Sequence, residues 1–206
     1  MFKKNLDFKT LFTDKSIHNV IDLGGGSGSY NYSNMKHWSV CLIDQKDTPD
    51  NLPANVFYAK ADLKVYMPTQ DVFDLVILKY VIEHQPTMAD ALDLIRKAYK
   101  SLKLGGYALF VLPQGHCLSN TIYKALFNIK LAEGLASTKD GGHWSNYDKT
   151  TFETDLKSVG FNIVKKKILP NTFEGYPYDI FLDCIAYYKK RGYNLTDNEL
   201  QYLCRK

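Results

Sequence analysis

The chain has 206 residues, 45% of them hydrophobic and 23% charged. That is the mix of a soluble globular protein, with chain enough for one α/β domain and too little for two ordinary ones. The formal net charge of +4 is carried in short runs such as Lys165-Lys166-Lys167 and Lys189-Lys190-Arg191. Such runs read as solvated faces and make a nucleic-acid partner unexpected.

No apolar run reaches the length of a membrane span, and no apolar stretch follows Met1-Phe2-Lys3-Lys4 as a signal peptide requires. Cys41, Cys117, Cys184 and Cys204 form no C-x-x-C pair, so free thiols in a reducing, cytoplasmic setting are expected. Without repeat, low-complexity tract or linker, residues 1–206 are expected to form a single domain.

Apolar runs alternate with helical-period segments, the pattern of βα units on a parallel sheet. Strands are expected at Asn19–Leu23, Ser39–Ile43, Val56–Ala59 and Phe73–Leu78. The run Leu75-Val76-Ile77-Leu78 is apolar on both faces, as a central parallel strand requires. A helix starts at Thr87, with Asp90 in capping-box spacing and Met88, Ala91, Leu92, Ile95, Tyr99 and Leu102 at helical steps. Gly105-Gly106 is expected to stop it and open a strand at Tyr107–Leu112. Asp148 caps a further helix carrying Phe152, Leu156 and Val159, which Gly160 ends. Strands at Phe161–Ile168 and Leu200–Arg205 close the series. Two amphipathic segments, at about residues 119–132 and 178–191, exceed a minimal alternation and are expected to cover the active-site end of the sheet.

The densest signal is Asp22-Leu23-Gly24-Gly25-Gly26-Ser27-Gly28, where a strand ends in an acid and glycines fill alternate positions. Such a turn lets a ligand lie against the main chain at the crevice beyond the strand ends. The dinucleotide pattern G-x-G-x-x-G is not met, since its third glycine falls on Ser29 or Asn31.

The turn resembles the first motif of class I S-adenosylmethionine-dependent methyltransferases, and the rest of the chain keeps step with that family. Val81-Ile82-Glu83-His84 after the fourth strand is similar to the block of its small-molecule branch. Ser101-Leu102-Lys103-Leu104-Gly105-Gly106 resembles its turn before strand five, with Leu104 in place of the usual proline. The resemblance implies a Rossmann-like seven-stranded, mostly parallel α/β sheet with an antiparallel last strand and helices on both faces. It implies S-adenosyl-L-methionine as methyl donor and S-adenosyl-L-homocysteine as product; with no Asp/Glu/His cluster at ligand spacing in the sequence, no metal is expected.

On the same ground Asp22, Gly24, Gly26 and Gly28 line the cofactor, Asp44 takes the ribose hydroxyls, and Asp62 takes the adenine amino group. The Leu63 N–H reaches a ring nitrogen, and Lys79 stands beside the cofactor at the end of the fourth strand. His143, in Asp140-Gly141-Gly142-His143-Trp144, and His116, in Pro113-Gln114-Gly115-His116, are the candidate catalytic residues, as imidazole is the natural base at neutral pH. His84 reads as a backbone-orienting residue.

The acceptor is expected to be a small molecule. The Asn/Asp-Pro-Pro-Tyr/Phe block that the family's nucleic-acid base methylases carry is replaced by Lys79-Tyr80-Val81-Ile82. An RNA or protein methyltransferase, or a non-catalytic nucleoside binder, are the alternatives. Tyr30–His37 is short and poor in helix formers, which predicts a stunted first helix.

Overall fold

The computed structural model describes Phe8 and residues 10–26, 28–113, 147–170, 190 and 197–206. Seven strands form one sheet in the order β3-β2-β1-β4-β5-β7-β6. They are β1 (Asn19–Leu23), β2 (Ser39–Asp44), β3 (Val56–Lys60), β4 (Phe73–Lys79), β5 (Leu102–Pro113), β6 (Asn162–Pro170) and β7 (Asp197–Arg205). β1 to β5 run parallel, while β7 is antiparallel to both β5 and β6. The expected Rossmann-like sheet with its reversed last strand is therefore present.

The central strands are apolar on both sides because both faces are covered. On one face, helix α1 (Met88–Ser101) and helix α2 (Lys149–Val159) pack Leu94, Ile95, Ala98, Phe152 and Leu156 against Ile21, Val76, Leu78 and Phe110. Both helices are capped as the sequence predicts. Thr87 accepts from the Asp90 N–H, Asp148 accepts from the Thr151 N–H, and Gly160 ends α2 in the left-handed conformation. The buried stripe of α1 is Ala91, Leu94, Ile95 and Ala98, with Met88 at the surface, so it lies one step round the helix from the expected one.

Among the described residues, the other face is covered by single 3-10 turns at Leu11–Thr13 and Tyr32–Asn34. Aromatic rings stand in for a long helix there: Phe12 lies 4.8 Å from Tyr30 and 5.8 Å from Trp38, centroid to centroid. Asn55 Nδ2 holds the segment by donating to the carbonyls of Tyr32, Met35 and Trp38 at 3.1–3.3 Å.

One boundary differs from expectation. α1 ends at Ser101, and Leu102 already pairs with Phe73, so Gly105-Gly106 does not stop the helix. The pairing slips before it resumes at Leu75 with Tyr107, and Gly105 and Gly106 exchange backbone hydrogen bonds with Lys206 at that irregularity. The glycines serve a bulge inside β5.

Lys165, Lys166 and Lys167 are exposed on the outer strand β6, a charged edge that discourages strand addition. Cys41 and Cys204 are free thiols. Among the described residues no helix is long and apolar enough to cross a membrane. The segments expected at 119–132 and 178–191, with Cys117 and Cys184, lie outside the described residues.

Candidate functional site

After β1 the chain moves outward through β2 to β3, then returns to place β4 on the other side of β1. That reversal opens a crevice beyond the carboxyl ends of β1 and β4, and the glycine turn lies in it. Gly24 donates to Ile43 O at 2.7 Å and has φ 79°, and a Cβ there would run into the Val81 side chain. At Gly25 a Cβ would run into the Asp22 carboxylate. Gly26 is different: with φ 56°, a Cβ there meets nothing within 4 Å. Gly24 and Gly25 are thus glycines for packing, while Gly26 faces open space. Gly28, with φ 116°, donates to Gly25 O at 2.7 Å and closes the turn.

Asp22 is completely buried beneath this turn. Its carboxylate accepts from Ser29 N at 3.0 Å, Ser29 Oγ at 2.8 Å and Tyr32 OH at 2.7 Å. Burial pushes its pKa up, and these donors pull part of the way back. Asp22 thus positions the turn from beneath it.

Asp44 ends β2 and is 7% exposed. Gly26 N donates to Oδ2 at 2.7 Å and Lys46 N to Oδ1 at 2.9 Å. A carboxylate has about four lone-pair sites, so each oxygen keeps capacity for one O–H donor beside the open space at Gly26. Two hydroxyls on adjacent carbons suit that acceptor.

Just past the end of β3, Ala61 N donates to Asp44 O at 2.8 Å and brings Asp62 and Leu63 alongside. Asp62 is exposed, with Oδ1 accepting from Lys64 N at 2.8 Å. The Leu63 N–H makes no hydrogen bond among the described residues, while Leu63 O and Lys64 O accept from Lys97 Nζ at 3.0 and 2.7 Å. Lys97 is a buried lysine of α1, also paired with Asp93 at 3.1 Å. Its charge fixes the planes of these peptides and so the direction in which the loop presents its N–H groups. Sequence reading missed Lys97; the Asp93–Lys97 spacing of four was the only signal for it.

Lys79, at the end of β4, donates to Ser29 O at 3.1 Å. Its ammonium lies 4.7 Å from the Tyr30 ring centroid and 5.6 Å from that of Tyr80. It thereby ties β4 to the glycine turn, and Tyr80 joins the site unannounced by any motif. His84 is exposed, and its N–H donates to Val81 O at 3.2 Å. The candidate catalytic residues His116 and His143 lie outside the described residues.

The described site therefore offers an open glycine face, a buried carboxylate with spare acceptor capacity, and an unbonded N–H and an exposed carboxylate just past the end of β3. These groups fit the donor and acceptor set of an adenosyl ligand.

Residues 1–166 match a family model described as a methyltransferase domain. A comparison with curated proteins finds no match. Among solved structures, a methyltransferase from Methanosarcina mazei shares the fold with a TM-score of 0.66 at 15% identity, covering 98% of each chain. An S-adenosylmethionine-dependent methyltransferase from Mesorhizobium loti gives 0.61 at 20% identity, over 95% of this chain and 94% of that one. A 1,6-didemethyltoxoflavin N1-methyltransferase from Burkholderia thailandensis, with S-adenosylhomocysteine and its substrate bound, gives 0.60 at 11% identity, over 91% and 70%. With its own model spanning most of the sequence and this sheet beneath it, the chain belongs to the methyltransferase-domain family and is a class I S-adenosylmethionine-dependent methyltransferase.

Proposed function

We propose that this enzyme, as a single domain, holds S-adenosylmethionine across the ends of β1, β2 and β3 and methylates a small-molecule acceptor lying beyond β4. In this reading Asp44 accepts from the ribose hydroxyls. Asp62 and the Leu63 N–H meet the edge of the adenine, and Gly26 lets the cofactor approach the main chain in a turn whose shape Gly24 and Gly28 allow. Lys79 sits at the methionine end. The observation that carries the assignment is Asp44: a 7%-exposed carboxylate held by two backbone N–H groups, with acceptor capacity left over.

When bound, the cofactor supplies an electrophilic methyl on a good leaving group. What remains for the protein is alignment of the nucleophile and exclusion of water. His116 and His143 are the sequence candidates for the acceptor side. The Burkholderia relative, which acts on a small heterocycle, supports the small-molecule reading.

Titration calorimetry with S-adenosylhomocysteine tests the assignment. Asp44→Ala should weaken binding about ten- to a hundredfold, since a hydrogen bond to a charged acceptor contributes ~1.5–3 kcal/mol. The fold should survive, because Asp44 lies at a strand end. Unchanged affinity would reduce Asp44 to a loop anchor.

Lys97→Met keeps the aliphatic stem and removes the donors to Leu63 O and Lys64 O. About a three- to thirtyfold loss of S-adenosylhomocysteine affinity is expected, at the lower end of the charged hydrogen-bond range because water can reach the carbonyls. Wild-type affinity in this variant would show that the loop keeps its shape unaided.

A further inference from the structure

On the half of the crevice away from Asp44 and Asp62, the ends of β4, β5 and β7 bring together side chains that cofactor binding leaves unused. Tyr80 follows β4 with φ 53°, a left-handed conformation that is unfavourable for a bulky residue and is held only where surroundings enforce it. Its N–H donates to Val111 O at 2.8 Å. So fixed, the ring crosses the end of β5, and the phenol donates to Glu199 Oε2.

Glu199 lies on β7 opposite Pro113, the last residue of β5, and so stands at the same end of the sheet as the glycine turn. Gln201 Nε2 donates to its other oxygen at 2.6 Å. The carboxylate is thus gripped at both oxygens, partly exposed, and in no ion pair among the described residues. The nearby ammonium of Lys79 is occupied by Ser29 O and the two tyrosine faces. Among the described residues, Glu199 is thus a negative charge oriented by neutral donors alone.

We propose that Glu199, oriented by Tyr80 and Gln201, binds the methyl acceptor, and that the acceptor is an amine. The assignment rests on the cofactor lying over β1 to β3. A carboxylate is too weak a base to deprotonate an alcohol, but an amine attacks through its own lone pair. The nitrogen forms its bond to the methyl carbon as the carbon–sulfur bond breaks, and the methylated nitrogen is left as an ammonium. Glu199 holds an N–H before the transfer and the ammonium after it, and the product leaves as the ammonium ion, its proton exchanging with bulk water. Attraction between Glu199 and the ammonium form also gathers the substrate, which loses that proton to bulk water before it attacks.

The test uses ethylamine, benzylamine and phenethylamine, each beside the alcohol of the same skeleton, on the full chain saturated with S-adenosylhomocysteine. Calorimetry is expected to detect amine binding and no alcohol binding. With S-adenosylmethionine, mass spectrometry should show N-methylation of at least one amine. Glu199→Gln, which keeps an acceptor for Tyr80, should lower kcat/KM for that amine ~10²-fold and leave S-adenosylhomocysteine affinity unchanged. Tyr80→Phe should raise KM ~3- to 10-fold, with a smaller change in kcat. Binding or methylation of the alcohols in preference, no amine bound by the loaded protein, or wild-type kinetics in Glu199→Gln would overturn the proposal. Failure of the wild-type protein to bind S-adenosylhomocysteine would instead overturn the cofactor placement on which it rests.

Discussion

Gly25→Ala should destabilise the protein by about 2–5 kcal/mol, whereas Gly26→Ala, one residue on, should cost about 1 kcal/mol. The two glycines look alike in sequence and differ in what surrounds them. An alanine methyl at position 25 runs into the Asp22 carboxylate. The backbone cannot retreat easily, because Gly24 N is bonded to Ile43 O and Gly25 O to Gly28 N. Either the turn moves or Asp22 turns away from Ser29 and Tyr32. The second course leaves a fully buried carboxylate short of donors, the kind of loss measured at 3–5 kcal/mol when a buried charge loses its partner.

At Gly26 the added methyl meets open space and costs only the left-handed conformation. The pattern should invert for ligand binding per unit of stability lost, since the Gly26 methyl projects where the cofactor is assigned. Urea unfolding of both variants, read beside S-adenosylhomocysteine titration, separates the two roles. Equal midpoints would mean that the turn is softer than its hydrogen bonds indicate.

That contrast also marks where sequence reading stops. The strands were legible because their apolar runs are continuous on both faces: β1 was expected at its observed limits, and β2, β3 and β4 within a residue. The caps Thr87, Asp148 and Gly160 were legible because capping is local chemistry. Gly105-Gly106 misled because a bulge and a helix stop call for the same residue, and only the pairing of Leu102 with Phe73 tells them apart. At the site, Asp44 and Asp62 come alongside as expected. The burial of Asp22, the reach of Lys97 to Leu63 O, and the crossing of Tyr80 to Glu199 depend on contacts between residues far apart in the chain. No periodicity encodes them.

Glu83→Gln should make the protein more stable above neutral pH, by roughly 3–5 kcal/mol at its greatest. Glu83 lies in the 3-10 turn Ile82–His84, is 2% exposed, and neither carboxyl oxygen has a hydrogen-bond partner among the described residues. Burial pushes its pKa from the ordinary 4.5 up to about 8, and its own backbone N–H offsets only part of that. The folded protein therefore keeps a proton that the unfolded chain has released between those two values. Stability should fall as pH rises through that window and level off above about 8. Glutamine is neutral throughout, so the variant should lose this slope and match the wild type near pH 4. Urea midpoints at pH 4, 6 and 9 provide the measurement, and curves that stay parallel across the range would refute the assignment. Glu83 lies three positions after Tyr80, in the 3-10 turn that follows β4. The same series with S-adenosylhomocysteine bound should show whether ligand shifts the window, because a ligand that favours the protonated turn must move it upward.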